Sequence, residues 1–475
     1  MRFRSLVQWR APWILAACLA LVLIGPGLAR TAAAGQKLVV WWNKGYYPEE
    51  DAGMQKIAKE FEATHKVEVE LSFAAQEDMH KKITAALIAR RVPDIAFGFF
   101  NDWQVVPKFG WSGQLADVSD LIQELMPRYN QKMLKVAYVL NGKTKKRAYY
   151  GIPIEAQTMH IHYWRDLTKE AGLPDTVDKI PMKWDEYWGF WRKVQDNLRK
   201  KDPAKYDKFF AIGMTESTRA TDTLYNFEMG LLSFNGEWLD ENGKVVADQP
   251  KNREAIIKTI QWFGELFTSG YVPPDATNWS DGDNNAGFHS KNLVMTPNPS
   301  LSIPAAQLFN KDDPGKVNYY QKMATIEWPN GPDGKQARYL SAVKTVVIPA
   351  DSKNQKLAKE YMRFLLQPKR FLEYIKAANG RWFPAFTDVS SDPFFRTGVT
   401  GPKGEKDPNV PVATVIFLER DNKVFDHWKH PATSQVYDEN VWGKAMARVA
   451  IDKWTPEKAA DEAIGRVKTI FTQYK

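Results

Sequence analysis

A two-lobed α/β chain is what this sequence predicts, on three observations. Its opening alternates strand-like and helix-like runs, the pattern of a parallel sheet with crossover helices. Its 475 residues exceed what one hydrophobic core holds, since single cores stop growing at about 250–300 residues. Within Ala148–Leu167 an extended run punctuated by Gly151 and Pro153 marks where the chain leaves one lobe for the other, turning helical over Tyr163–Ala171 and stopping at Gly172.

The first 34 residues read as an export signal. Arg2, Arg4 and Arg10 precede an apolar run over Ala11–Ala29, and Thr31-Ala32-Ala33-Ala34-Gly35 carries an A-x-A cleavage site. Pro12, Gly25, Pro26 and Gly27 interrupt the run, which argues against a membrane span. The lone cysteine, Cys18, lies inside this segment. Leu19–Ile24 stay apolar after it, whereas a lipid-anchored leader turns polar. Cleavage at Ala34 is therefore expected, leaving an exported, periplasmic chain with no thiol and no disulfide. Removing Arg2, Arg4, Arg10 and Arg30 lowers the formal charge from +9 to +5. The remaining basic residues are interspersed with acids, as in Lys56, Lys59, Glu60 and Glu62, which describes a solvated surface and excludes a nucleic-acid stripe.

Lys37–Trp42 is an apolar strand, followed by a helix with Met54, Ile57, Ala58 and Phe61 on one face. Glu49, Glu50 and Asp51 lie where acids favour a helix start. Val67, Val69, Leu71 and Phe73 alternate with polar residues as a second strand. Met79, Ile83 and Leu87 mark a second helix, and Ile95–Phe100 is an apolar run suited to a buried strand. Beyond lie a helix over Trp184–Lys200, a short strand over Phe209–Met214, a hairpin turning at Asn242-Gly243, and a helix over 252–269. Phe288–Met295 leads a strand into Thr296-Pro297-Asn298-Pro299. Ser341–Ile348 is a second extended stretch that could recross between lobes, and Thr455 caps the last helix.

In parallel α/β sheets ligands bind beyond the carboxyl ends of the strands. Two such ends, Trp42-Asn43-Lys44 and Phe99-Phe100-Asn101-Asp102-Trp103, place a flat aromatic beside hydrogen-bonding groups. With 18 Trp, 18 Tyr and 25 Phe, the chain has rings for its cores and also for stacking on a sugar's C–H face.

The order and spacing of several segments carry a resemblance. These are KLVVWW…AGMQKIAKEFEATHKVEVE, Pro93-Asp94-Ile95, YYGIPIEAQT…YWRDLTKEAGLP and Trp184-Asp185-Glu186, then Asp240…Asn242-Gly243-Lys244, Phe288…Asn292-Leu293-Val294-Met295, Ser352-Lys353-Asn354…Ala358…Tyr361 and TPEKAADEA. The chain resembles the family 1 extracellular solute-binding proteins of ABC importers, the group that includes maltose-binding protein. It departs from that pattern at Lys183, where the family usually has a capping Thr, and after Met295, where Thr296-Pro297-Asn298-Pro299 offers no stacking aromatic.

The resemblance implies a type II periplasmic binding protein fold, α/β, with parallel and mixed sheets and strands crossing at a hinge. One lobe would be 37–153 plus 345–383, the other 154–344 plus 384–475. It implies a monomer that captures a carbohydrate or polyol between its lobes and hands it to a permease and its ATPase, with no cofactor. By motif position the ligand-binding candidates are Trp42, Asn43, Lys44, Asn101, Asp102, Trp103, Glu155 and Gln157. Tyr225, Trp279, Asn298, Arg381 and Trp382 are added from later segments.

Other chemistries fare worse. His160 with His162, and His427 with His430, lack a third metal ligand. Asp281-Gly282-Asp283-Asn284-Asn285 begins like a calcium loop, but Ala286 and Asn292 stand where its Gly and Glu belong. Glu155 and Asp102 could face each other as in a glycosidase, yet no motif fixes their separation, and no nucleophile elbow, phosphate loop or dinucleotide fingerprint is present. A binding protein is expected rather than an enzyme. The alternative ligands are a polyamine, which a strongly acidic cleft would favour, and a phosphate ester, which clustered Arg and Lys would favour.

Overall fold

The computed structural model describes residues 36–309 and 313–474; the expected leader, with Cys18, lies outside the described residues. In chain order the strands are β1 (Lys37–Asn43), β2 (Glu68–Ala74), β3 (Ile95–Phe97), β4 (Tyr138–Leu140), β5 (Arg147–Tyr149), β6 (Ile152–Thr158), β7 (His160–Trp164), β8 (Phe210–Ile212), β9 (Leu293–Asn298), β10 (Met323–Ile326), β11 (Tyr339–Val347), β12 (Phe383–Pro384) and β13 (Asn422–Val424).

Seven strands form one sheet in the order β12-β6-β11-β3-β1-β2, with β13 also on β11. β1 runs parallel to β2 and β3, as the opening strand–helix alternation requires, while β11 is antiparallel to β3 and β6. A second, four-stranded sheet has the order β10-β7-β9-β8, and β4 and β5 pair separately. The extended run after Gly151 is thus two strands, not one. β6 pairs in the first sheet, β7 pairs with β9 and β10 in the second, and the chain changes sheet at Met159.

The third strand is shorter than the apolar run suggests. It ends at Phe97, and at Gly98 a Cβ would sit 2.9 Å from Asn101 Oδ1 and Ile83 Cδ1, so a larger residue there would have to displace both side chains. A five-residue π-helix, Asn101–Val105, follows; such turns often reshape backbone at functional sites.

Each sheet anchors its own core. Leu38, Val40, Ile95, Ile154, Val343 and Phe371 belong to the first, and Ile161, Tyr163, Tyr187, Trp191, Ile212 and Val294 to the second. The expected division gave 384–475 wholly to the second lobe. However, Ala385, Phe386, Phe395, Val410 and Phe417 pack into the first core, and the tail joins the second through Trp442, Ile464 and Val467. Distant pairing decides this: Phe383 and Pro384 pair with β6, and Phe417 stacks on Phe383 with centroids 4.8 Å apart.

Helix Trp184–Lys201 buries Trp184, Tyr187, Trp188, Trp191, Val194 and Leu198 at helical spacing, and Lys183 makes no side-chain cap. Asp185 and Glu186 in its first turn complement the helix dipole where the cap is missing. Thr455 Oγ1 accepts from the Lys458 amide, the cap expected for the last helix. The Asn242-Gly243 segment forms a narrower turn than a two-stranded hairpin: Gly243 alone takes positive φ (+77°), a single bridge joins Leu239 to Val245, and Asp240 accepts from the Asn242 and Lys244 amides.

Candidate functional site

The carboxyl end of β1 opens onto a cleft. Trp42, Asn43 and Lys44 line it together with Glu50, Phe97, Phe99, Glu155, Tyr374, Arg381 and Trp382. A relay of hydrogen bonds orders one side: Trp42 Nε1 donates to Tyr374 Oη (3.2 Å), which donates to Glu155 Oε1 (2.7 Å). The other side is set by the start of helix Pro48–His65. There Glu50 accepts from Arg381 Nη1 (3.0 Å) and Trp382 Nε1 (3.2 Å), and also from the Tyr46 and Tyr47 amides. Arg381 and Trp382 lie past a Gly380 whose φ is +83° and are fixed by a carboxylate more than 300 residues earlier.

Behind this wall lies a buried polar cluster. Gln157 Nε2 donates to Tyr225 Oη (2.6 Å), and Lys344 Nζ reaches the same hydroxyl (3.4 Å) and Asp102 Oδ1 (3.6 Å). Lys344 is the register partner of Glu155 across β6 and β11. Burial drives the electrostatics. It raises Asp102 to about 6 against the pull of Lys344, and it lowers Lys344. Glu155 is raised to about 8, first by burial, while the Tyr374 hydroxyl pulls the other way.

The lobes touch directly around the cleft mouth. Tyr47 Oη donates to Ser302 O (2.6 Å), and its ring stacks on Phe309 at 3.8 Å. Aromatic plates, planar hydrogen-bonding groups and carboxylates carried by the first sheet and its helices therefore converge on one space, the equipment for holding a polar organic solute.

A model of bacterial extracellular solute-binding proteins matches residues 56–411. The chain belongs to this family. Among relatives, the arabinooligosaccharide-binding protein of Bacillus subtilis (strain 168) is 24 % identical over 366 residues, 74 % of each chain. The diacetylchitobiose binding protein DasA of Streptomyces coelicolor is 28 % identical over 339 residues, 71 % of this chain and 70 % of that one. A solved ABC transporter solute-binding protein from Thermotoga lettingae TMO, bound with α-D-tagatose, aligns with TM-score 0.71 at 20 % identity over 92 % of this chain and 99 % of that one. Maltose-bound T. maritima MalE3 gives 0.69 at 18 % identity over 91 % and 99 %. The fold is the two-lobed α/β architecture of type II periplasmic binding proteins.

In this solute-binding protein the sequence candidates fall into three groups. Trp42, Asn43, Lys44, Glu155, Arg381 and Trp382 line the cleft, and Asp102, Gln157 and Tyr225 form the cluster behind it. Asn101 and Trp103 have other work. Asn101 Nδ2 donates to the Ala96 and Thr345 carbonyls, tying the π-helix to the sheet. Trp103 is 2 % exposed and packs among Phe100, Tyr225, Phe425 and Tyr437. Asn298, at the carboxyl end of β9, donates to Asn285 Oδ1 (3.0 Å) and accepts from the Ser300 amide. Trp279 stands apart. It lines a separate hollow with Phe210 and Leu293, the first residues of β8 and β9, at the strand ends opposite Asn298.

Some functional candidates escaped the sequence. Lys344 carried a signal, a cation inside the apolar run Ser341–Ile348. Tyr374 and Glu50 carried none, because each looks like an ordinary helix residue. Asp281 accepts from Thr221 Oγ1 (2.6 Å) and the Asp222 amide (3.1 Å), anchoring the start of helix Asp222–Ser233. His162 meets Thr325 Oγ1 at 3.0 Å and the Ser300 carbonyl at 3.3 Å, the contacts of a core residue.

Proposed function

We propose that this chain is the solute-binding subunit of an ABC importer that captures a carbohydrate or polyol between its lobes. The carrying observation is the wall of Trp42, Glu155, Tyr374 and Trp382 at the carboxyl end of β1, which offers plates for a sugar's C–H face and acceptors for its hydroxyls. Kinship supports it. Related chains are named for binding arabinooligosaccharide, diacetylchitobiose and galactooligosaccharide, and similar structures hold tagatose, maltose, laminaribiose and ribitol.

In this reading the chain works as an exported, periplasmic monomer and delivers its ligand to a membrane permease driven by an ATPase. Contact is made first by Trp42, Asn43, Lys44, Glu155, Arg381 and Trp382, with Gln157 deeper on the same strand as Glu155 and Tyr225 and Asn298 contributing from the second lobe. The lobes divide near 153–159, 344 and 383–417. Closure favours the ligand-bound form because the solute touches both lobes only when they are shut. An affinity near micromolar, about 8 kcal/mol, suits release. The chain binds without turnover.

A thermal-shift screen of sugars, polyols, amines and phosphate esters tests this. A rise in melting temperature with a sugar or polyol is the expected result. Stabilisation by amines or phosphate esters alone would replace the ligand class, and hydrolysis of a glycoside would make the protein an enzyme.

A further inference from the structure

Away from the solute cleft, cations gather where the two cores join. Lys132, Lys135, Arg338, Lys423 and Lys429 line one hollow with the acids Asp421, Asp426 and Glu241, and none of these residues lines the cleft. Lys132 and Lys135 flank Met133, Leu134 and Val136 of the first core, whereas Arg338 stands between Ala337 and Tyr339 of the second. Lys423 belongs to β13, which pairs with the first residues of β11, the strand that runs from the second core at Tyr339 and Leu340 into the first at Val343 and Val346.

The acids are outnumbered. Asp421 accepts from both Arg338 Nε (2.9 Å) and Lys132 Nζ (3.4 Å). Asp426 lies 2.9 Å from Lys423 Nζ and 3.0 Å from Lys429 Nζ, one carboxylate between two ammoniums. Glu241 reaches Lys429 from 3.6 Å with its side chain 76 % exposed. Lys135 has no carboxylate partner among the described residues, and its ammonium lies 5.8 Å from the Trp428 ring centroid. Behind this wall Arg147 donates to the Trp428 and Lys429 carbonyls, Glu237 meets Arg338 at 3.4 Å, and Glu228 accepts from Trp238 Nε1. Even with Glu237 and an ionised Glu228 counted, the cations remain in surplus.

Two of these cations are buried, Lys429 at 4 % and Lys423 at 8 % exposure, and Lys429 Nζ donates no aligned hydrogen bond. Burial pulls Lys423 down, but Asp426 and Glu228 outweigh it and hold it above the usual lysine range, as an ammonium. A water molecule could accept from Lys429, yet it would leave the surplus charge in place, and a buried charge without a partner is costly.

We propose that this hollow binds a dianionic phosphate group, free or carried on a small metabolite, with Lys423 and Lys429 beneath it and Lys132, Lys135 and Arg338 around it. Phosphate oxygens accept from several directions at once, which suits donors arriving from separate elements. The site is independent of which solute the cleft takes.

Calorimetric titration of the full mature chain with inorganic phosphate and, in parallel, with glycerol 3-phosphate tests this, each against sodium chloride at matched ionic strength. Saturable binding at one site per chain is expected. Lys132→Ala combined with Lys135→Ala, both exposed positions, should weaken it at least about tenfold, while Lys44→Ala in the solute cleft should leave it unchanged. Folding of each variant is checked by its melting temperature, and Arg338→Gln takes the place of the double variant if that one does not fold. Binding of inorganic phosphate supports a free anion, and binding of the ester alone supports a phosphorylated metabolite. Absent binding, heats that sodium chloride reproduces, or an affinity unchanged in the lysine variant each overturn the proposal. Loss of binding in Lys44→Ala alone also overturns it, since the anion would then sit in the solute cleft.

Discussion

Lys344 Nζ stands 3.6 Å from Asp102 Oδ1, with the two side chains 0 % and 1 % exposed. The pair joins the π-helix after β3 to the long strand β11, and Tyr225 from the other core meets the same ammonium. Removing one partner of a buried pair strands the other charge. Lys344→Met should therefore lower stability by about 3–5 kcal/mol in urea denaturation. Adding Asp102→Asn to that variant should recover most of the loss, and a double mutant as unstable as the single would show that Lys344 acts through packing alone.

Glu155 sets a pH dependence. Its carboxyl is raised from 4.5 to about 8 in the folded chain, so between those values the native state holds a proton that the unfolded state has lost. Its contribution is whole below about pH 4.5 and falls as pH rises towards 8. Glu155→Gln removes this dependence. The stability difference between the two proteins should drift by about 1 kcal/mol per pH unit between about pH 5 and about pH 7. Parallel stability curves across that window would contradict it.

Trp103 is a packing residue. Surrounded by Phe425 and Tyr437, both with centroids 5.5 Å away, it should cost about 3–5 kcal/mol of stability when replaced by alanine. Trp382→Ala, whose ring lines the cleft, should instead weaken ligand binding by about 1–3 kcal/mol. Comparing denaturation midpoints and calorimetric affinities of the two variants separates the roles, and an exchange of the two patterns would reverse the assignment.

Tyr47 closes the cleft mouth through Ser302 and Phe309. With that link removed, Tyr47→Ala should shift the free protein towards open forms. It should also speed ligand dissociation by about tenfold. Small-angle scattering would report a larger radius of gyration for the ligand-free variant; an unchanged radius and off-rate would remove Tyr47 from the closing mechanism.

Much of this protein is local and was therefore legible in its sequence. Alternation and helical spacing placed β1, β2 and the helices between the first strands. Order and spacing of motifs carried the resemblance that the family match confirms, and the strand-end rule pointed to Trp42, Asn43 and Lys44. The tertiary structure decided what depends on pairing between distant segments. Strand register split the extended run at Met159 and carried the segment after Pro384 into the first core. The relay Trp42–Tyr374–Glu155 spans residues 219 to 332 positions apart, and Glu50 meets Arg381 across 331. Periodicity reports which face of an element is apolar, but not which distant element it meets. The partners of Glu155, the buried place of Trp103 and the separate hollow of Trp279 therefore became visible only when the sheets were assembled.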